Sequence, residues 1–280
     1  MKRSLKRLCA VLAMVMGILS LAGCGQEGNS SSTASGEEQK THITIGCMPL
    51  NQEGVQALSD LLKDKGYDLE VVVFDGNNLP AEALSADEID GLILNHLPWI
   101  QTFNEANGTN LVLVDGFAYA SLNGLYSSKH QSVDEIPDGG TITISNDPSN
   151  MDRGLRFLQN LGLLTLGEKT GDYYTILDIA ENPKNLQFLE VETTMTAGSY
   201  EDADATITFS SVMKNAGYDA FSYLAEDGES GQFPTGLVVN SGDENSDWAK
   251  AIIEVAQSDE YHTKFDEIFQ GAYVILDQEA

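Results

Sequence analysis

Between Ile43 and Val114 short apolar runs alternate with segments of helical periodicity, and this alternation restricts the fold more than any other feature of the chain. Ile43–Gly46, Leu69–Phe74 (LEVVVF), Gly91–Leu94 and Leu111–Val114 read as strands. Between them Val55–Lys65 repeats apolar residues at helical spacing, and Leu79–Leu84 makes a helical turn. A further helix runs from Asn95-His96-Leu97-Pro98-Trp99 to Asn104. Strand and helix in turn favour a parallel α/β sheet. The nearly unbroken apolar run at Leu69–Phe74 predicts a strand covered on both faces.

A second set of elements follows Gly124-Leu125-Tyr126. Val133–Ile136 is a short helix, Thr141–Ile144 a strand, Met151–Leu161 a helix, Asp178–Asn185 a loop and Ala205–Phe209 a strand. Gly236–Asn240 is a strand that can return to the first sheet, and Trp248–Gln257 and Tyr261–Phe269 are amphipathic helices. A chain of 280 residues, 42% of them hydrophobic, can build one large or two modest cores.

The junction Ile144–Gln159 (ISNDPSNMDRGLRFLQ) carries the most chemistry. Asp147 is a good N-cap, Pro148 suits the first helical position, and Met151, Leu155 and Leu158 recur at helical spacing. A helix N-terminus favours an anion such as a carboxylate. Arg153 and Arg156 follow on nearly one face and are the only arginines after Arg7. A guanidinium holds a carboxylate by two parallel hydrogen bonds, which lysine does not. Arg156 reads as a solvated side chain.

The net charge is -28, which argues against a nucleic-acid partner and against docking on anionic lipid. The N-terminus offers a different route to a membrane. Met1–Arg7 is a positive segment, and Leu8–Leu21 is apolar but too short to span a bilayer comfortably. Leu21-Ala22-Gly23-Cys24 follows. This order resembles the lipobox of bacterial lipoprotein signal peptides, which implies cleavage before Cys24 and a diacylglycerol on its thiol. An ordinary secretory signal whose small residues end in Cys is the other reading. Residues 24–41 then form a lipidated cysteine and a Gly/Ser/Glu-rich tether. Cys47, alone after these, has no disulfide partner and reads as a small buried residue. Nothing in the sequence calls for a metal or another cofactor.

Four stretches, in this order and spacing, resemble the NlpA/MetQ family of substrate-binding lipoproteins serving methionine ABC transporters. They are Phe74–Leu84 (FDGNNLPAEAL), Asn95–Trp99 (NHLPW), Asn146–Leu155 (NDPSNMDRGL) and Asp178–Asn185 (DIAENPKN). The resemblance runs from about Ile43 to the C-terminal helices. It implies a type II periplasmic-binding-protein fold: two α/β lobes, joined by two hinge crossovers near Asn123–Tyr126 and Phe233–Leu237, with a ligand cleft between them. Lobe 1 would comprise residues 42–124 and 234–280, and lobe 2 residues 125–233. It also implies that Arg153 grips the carboxylate of an amino acid, with Asn150 beside it and Asn95, His96, Pro98 and Trp99 in the pocket. Phe74, Trp99 and Tyr119 are candidates for packing against a thioether. On the residues alone, Phe74 is equally a core side chain at a strand end, and His96 equally a loop cap.

The chain departs from the family at several positions. Asn77 stands where a Tyr is usual, Ser121 and Leu122 align with a Tyr-Pro pair, and Thr208 and Gly236 align with ligand-holding asparagines. The implied function is that of an extracytoplasmic binding lipoprotein, lipid-anchored to a bacterial membrane. It would deliver methionine, a related amino acid or a dipeptide to an ABC permease and its ATPase. A changed ligand, or an adhesin or sensor role on the same fold, is the alternative. The sequence contains no G-x-S-x-G, H-E-x-x-H, G-x-G-x-x-G or P-loop motif to suggest an enzyme.

Overall fold

In the computed structural model, which describes residues 40–276, the chain opens with β1 (His42–Cys47), α1 (Pro49–Leu62) and β2 (Asp68–Val73). It continues through α2 (Leu79–Ser85), β3 (Gly91–Leu92), α3 (Leu97–Asn107), β4 (Leu111–Leu113) and β5 (Ala118–Ser121). Next come β6 (Asn123–Tyr126), β7 (Thr141–Ser145), α4 (Pro148–Asn160), β8 (Thr165–Leu166) and β9 (Ile179–Glu181). β10 (Gln187–Val191), β11 (Ala205–Phe209), α5 (Ser210–Asn215) and β12 (Tyr223–Glu226) complete the middle of the chain. The return is β13 (Val238–Asn240), α6 (Asp247–Ala256), α7 (Asp259–Phe269) and β14 (Tyr273–Leu276). The expected signal segment, Cys24 and all of the tether before Lys40 lie outside the described residues.

Two five-stranded sheets result, one per lobe: β2-β1-β3-β13-β4 and β10-β7-β11-β6-β12. The alternation of strand and helix predicts parallel sheets, but both are mixed. β1 runs parallel to β2 and β3, whereas the returning β13 enters antiparallel between β3 and β4. In the second sheet β10, β7 and β11 are parallel, and β6 and β12 add antiparallel strands. β2 is not covered on both faces: it is an edge strand, with Asp68, Glu70 and Val73 exposed. β10 is likewise an edge, with Leu189 and Glu190 exposed.

Burial follows the strand period of two. Ile43, Ile45 and Cys47 pack on one side of β1 against Val55, Leu58 and Leu62 of α1 and Phe265 of α7. Each such fully buried aliphatic side chain contributes about 1.5–3 kcal/mol. Burial pushes the Cys47 thiol up to about 11, so it is an inert core group. The opposite face of the sheet packs on Leu84, Ile100 and Phe103, with Phe74 partly buried against them. Phe74 is therefore core. In lobe 2, Ile142 and Ile144 of β7 meet Leu155 and Leu158 of α4. Gly154 lets α4 lie close, since a Cβ there would stand 2.9 Å from Ile144 Cδ1.

The connections between lobes run side by side. The expected crossover at Asn123–Tyr126 is itself β6, so the chain crosses just ahead of it, at Leu122. The return passes through Thr235, whose N–H donates to Tyr119 O at 2.7 Å while Tyr119 N–H donates to Thr235 O at 2.9 Å. β14 pairs antiparallel with β5 and ties the C-terminal end to the first crossover. One residue past Thr235 the backbone is so close to its neighbour that a Cβ on Gly236 would stand 2.8 Å from Phe117 O, a backbone atom that has little room to yield. Gly236→Ala is expected to lower stability by roughly 1–3 kcal/mol, the cost of overpacking, in urea unfolding monitored by circular dichroism.

Candidate ligand-binding site

The C-terminal ends of β1, β3, β7 and β11 point toward the gap between the lobes, the usual place for ligands in open α/β sheets. After β3 comes Asn95-His96, and His96 caps α3: its Nδ1 accepts from Trp99 N–H at 3.1 Å. After β7 comes Asp147, which caps α4 by accepting from Asn150 N–H at 3.0 Å. These two caps meet across the cleft. Because Nδ1 of His96 accepts, its Nε2 is the protonated nitrogen, and it donates to Asn150 Oδ1 at 2.8 Å. Asn150 Nδ2 in turn donates to Asp147 Oδ2 at 2.9 Å. Other hydrogen bonds also join the lobes, among them Asn77 N–H to Glu192 Oε1 at 3.0 Å, and Thr102 Oγ1–H to Tyr173 Oη at 2.9 Å.

Beneath this closure lies a cavity with about 70 Å³ open to the centres of water-sized molecules. That is room for about five such groups, at the ~10–15 Å³ each requires. Lobe 1 lines it with Leu50, Asn77, Asn95, His96, Trp99 and Ser121, and lobe 2 with Asn150, Arg153, Phe209 and Ser211. The return crossover adds Phe233 and Thr235. A larger outer cleft of about 680 Å³ lies between Asn77, Glu82 and Trp99 on one side and Asp147 and Glu192 on the other.

Arg153 is fully buried, and its guanidinium is already partly engaged. Nε donates to Asp227 Oδ2 at 2.6 Å and Nη2 to Asp227 Oδ1 at 3.0 Å. Its plane lies over Phe233, 3.8 Å from the ring centroid. Nη1 is buried without a partner and belongs to the one charged side chain lining the cavity. The two-pronged carboxylate grip foreseen for Arg153 is thus taken by the protein's own Asp227, and Nη1, with its two N–H groups, is left over. Asp227 accepts as well from Asn123 Nδ2 at 2.9 Å and Glu229 N–H at 3.0 Å. Burial works against its charge, but the bonds to Arg153 prevail and hold its carboxyl below the usual range. Arg156 is not a free solvated side chain. It donates to Asp152 Oδ2 at 2.8 Å and to Glu229 Oε2 at 2.7 Å. Both arginines of α4 therefore hold the same 227–229 segment.

Of the residues singled out in the sequence, Arg153, Asn95, His96, Trp99 and Asn150 line the cavity together. Three do not. Phe74 is core, as described above. Tyr119 is buried in lobe 1, where its hydroxyl accepts from Asn51 Nδ2 at 3.1 Å and its ring meets Tyr273 at a 4.9 Å centroid distance. Thr208 faces away from the cleft and bonds Thr196 Oγ1 beneath the sheet. Its neighbour Phe209 takes the cavity position instead, because a one-residue step along a strand reverses the face. Gly236 likewise turns toward Phe117, and Thr235 is the residue that lines the cavity. Asp227, Phe209 and Phe233 were missed. The place of Phe209 at the C-terminal end of β11 was the available signal; no local pattern marks Asp227 or Phe233.

A cavity between two α/β lobes, closed by cross-cleft hydrogen bonds and lined by a buried arginine whose Nη1 has no partner, defines a two-lobed substrate-binding protein. Comparison with known sequences makes the assignment specific: the sequence model of the NlpA lipoprotein family matches residues 43–276, and this chain belongs to that family. It is similar to the D-methionine-binding lipoprotein MetQ of Escherichia coli (strain K12), at 32% identity over 95% of this chain and 96% of the relative. Among solved structures it is similar to a nutrient-binding protein from Burkholderia cenocepacia bound to methionine, with 26% identity, a TM-score of 0.78, and coverage of 85% of this chain and 100% of that one. It is also similar to the substrate-binding protein of a methionine transporter from Streptococcus pneumoniae, with 26% identity, a TM-score of 0.78, and coverage of 85% and 96% respectively.

His96 gives the site a pH signature. Burial lowers its pKa from the ordinary 6.5 to about 4, opposed by the bond to Asn150 and the nearby Asp147 charge. The unfolded chain takes up a proton near pH 6.5 that the folded one refuses until about pH 4. The contribution of neutral His96 is therefore complete above the upper value and is lost as pH falls toward the lower. Between pH 7 and pH 4.5 the protein should lose about 2–3 kcal/mol of stability through this residue. His96→Asn, which keeps a capping side chain, should remove that part of the dependence in urea titrations at the two pH values; an unchanged dependence would rule out His96 as its source. His42, exposed and shifted upward by its hydrogen bond to Asp68, acts in the opposite sense in both proteins and cancels in the comparison.

Proposed function

We propose that this chain captures a free amino acid, methionine or a close relative, between its lobes and hands it to a membrane importer. The single observation that carries the reading is Arg153 Nη1, a buried cationic donor without a partner on the wall of the cavity. A carboxylate supplies the missing acceptor. The cavity also offers Asn95 Oδ1, a buried acceptor that lacks a donor and suits an ammonium group. Trp99, Phe209 and Phe233 supply aromatic walls against which a thioether packs well. The relatives support the same ligand: one is a D-methionine-binding lipoprotein, one was solved bound to methionine, and one is the substrate-binding protein of a methionine transporter. The site acts by hydrogen bonding and packing, and the family role is binding rather than catalysis.

In this reading the protein is extracytoplasmic and is held to the membrane by a lipid on Cys24. Among the described residues no helix is long and apolar enough to cross a membrane. The expected boundary at 124 falls inside β6, a strand of the second sheet, so the lobes would be residues 42–122 with 234–280, and residues 123–233, opening about the paired crossovers. The partners are an ABC permease and its ATPase. A related amino acid or short peptide is the second reading, favoured by Asn77 and Ser121, which line the cavity where the family usually carries Tyr and a Tyr-Pro pair.

The test is a thermal-shift panel of amino acids and short methionine peptides on protein refolded to remove bound ligand. A true ligand at a hundred times its Kd should add about 2.7 kcal/mol, a rise of roughly 5–10 °C in Tm. Arg153→Met combined with Asp227→Asn removes the guanidinium without burying a lone carboxylate, and should abolish the shift. A shift retained in that variant would exclude Arg153 as the anchor. No shift with any amino acid or peptide would overturn the reading.

A further inference from the structure

The bidentate embrace of Arg153 by Asp227 bears on which ligands the cavity admits. Both side chains are buried, at 1% and 2% exposure, so water screens neither. Among the described residues Arg153 is the only charged one on the cavity wall, since burial keeps His96 neutral at physiological pH. The other lining groups with polar atoms are amides, hydroxyls and the indole. The pocket and the pair behind it therefore sum to no net charge. Asp147 and Glu192 lie outside this wall, on the outer cleft, where neutral donors hold them without cancelling their charge. Asp147 accepts from Ser149 Oγ, Asn150 and Thr193 Oγ1, and Glu192 accepts from Asn77 N–H.

We infer that Asp227 is a positioning and selectivity residue that makes the site electroneutral, so that it selects zwitterions with uncharged side chains over anions or cations of the same shape. This deepens the amino-acid reading above and rests on it. Asp227 works through Arg153 in two ways. It occupies Nε and Nη2, leaving Nη1 as the one guanidinium nitrogen without a partner. It also cancels the guanidinium charge in a medium of low dielectric, where an uncompensated cation would attract any anion small enough to enter. A zwitterion adds no net charge to such a pocket. The des-amino anion leaves one negative charge uncompensated, and the amide of the amino acid leaves one positive charge. Asn123 and the Glu229 N–H hold Asp227 in place, and the Arg156–Glu229 bridge holds the same segment from the next turn of α4.

The experiment uses three probes with one side chain: L-methionine, its des-amino analogue 4-(methylthio)butanoate, and L-methionine amide. Each is titrated calorimetrically into the refolded wild type and into Asp227→Asn. The wild type should bind the zwitterion at least tenfold more tightly than either charged analogue. In Asp227→Asn, which keeps an acceptor beside Arg153 but removes the negative charge, the anion should gain at least tenfold on the zwitterion and the cation should weaken further. A merely structural role for Asp227 would weaken all three alike, and that result would overturn the inference. Should the Asn variant fail to fold, Asp227→Ser, which leaves space for water beside the guanidinium, makes the same charge change. A wild type that binds the anion as tightly as methionine would overturn the inference while leaving the amino-acid reading intact. A wild type that binds none of the three, and no other amino acid, would overturn both.

Discussion

The buried pair of Arg153 and Asp227 is the contact on which the arrangement of the cleft depends. It joins the second turn of α4 to the segment that leads back into the other lobe. A guanidinium this deep is tolerable only when its charge is answered and its donors are nearly all used. The pair meets the first condition fully and the second except at one atom. That exception is what turns a structural ion pair into a binding site. Phe233, stacked on the guanidinium and edge-on to His96 at 5.1 Å, carries the same linkage across the cleft.

The caps of α3 and α4 serve a second purpose. His96 and Asp147 each finish a helix in their own lobe, and Asn150 bridges them. Closure is therefore assembled from groups already oriented by local backbone requirements. Little side-chain freedom remains to be lost when the lobes meet. The shared work also confines the chemistry: His96 gives one nitrogen to the cap and the other to the neighbouring lobe, and retains none as a general base.

Much of this was legible in the sequence, and the parts that were not share a cause. Strand and helix periodicity located β1, β7, β11, α4 and the terminal helices, because each has a buried stripe of large apolar residues. β5, β6, β8, β9, β10, β12 and β14 escaped notice, β9 within the expected loop Asp178–Asn185. β10 is an exposed edge with no clean alternation, and β6 (Asn123–Tyr126) reads as a turn because Asn-Gly is a turn signal. The order of the two sheets, and hence the mixed direction of strands, depends on pairings between residues far apart in the chain, such as Val238 with Leu92 and Thr206 with Tyr126. In the site, residues adjacent to motifs were found, whereas Thr208 and Gly236 were placed one residue off the cavity-facing positions. Sequence alignment of short strands is weakly determined, and a single step exchanges Thr208 for Phe209. Asp227 was out of reach for a different reason. An acid among so many acids carries no mark until the fold brings it to the one buried arginine.

Two of the four outer strands of these sheets, β2 and β10, have a bearing on how copies of this protein tolerate one another. An exposed strand edge is an open template, ready to recruit another chain into a continuous ribbon. Here the open edges carry Asp68 and Glu70 on one lobe and Glu190 on the other, in a chain already strongly acidic. Two such edges approaching each other bring like charges together before any ladder forms. The repulsion works against the edge-to-edge pairing that leads to fibrous aggregation.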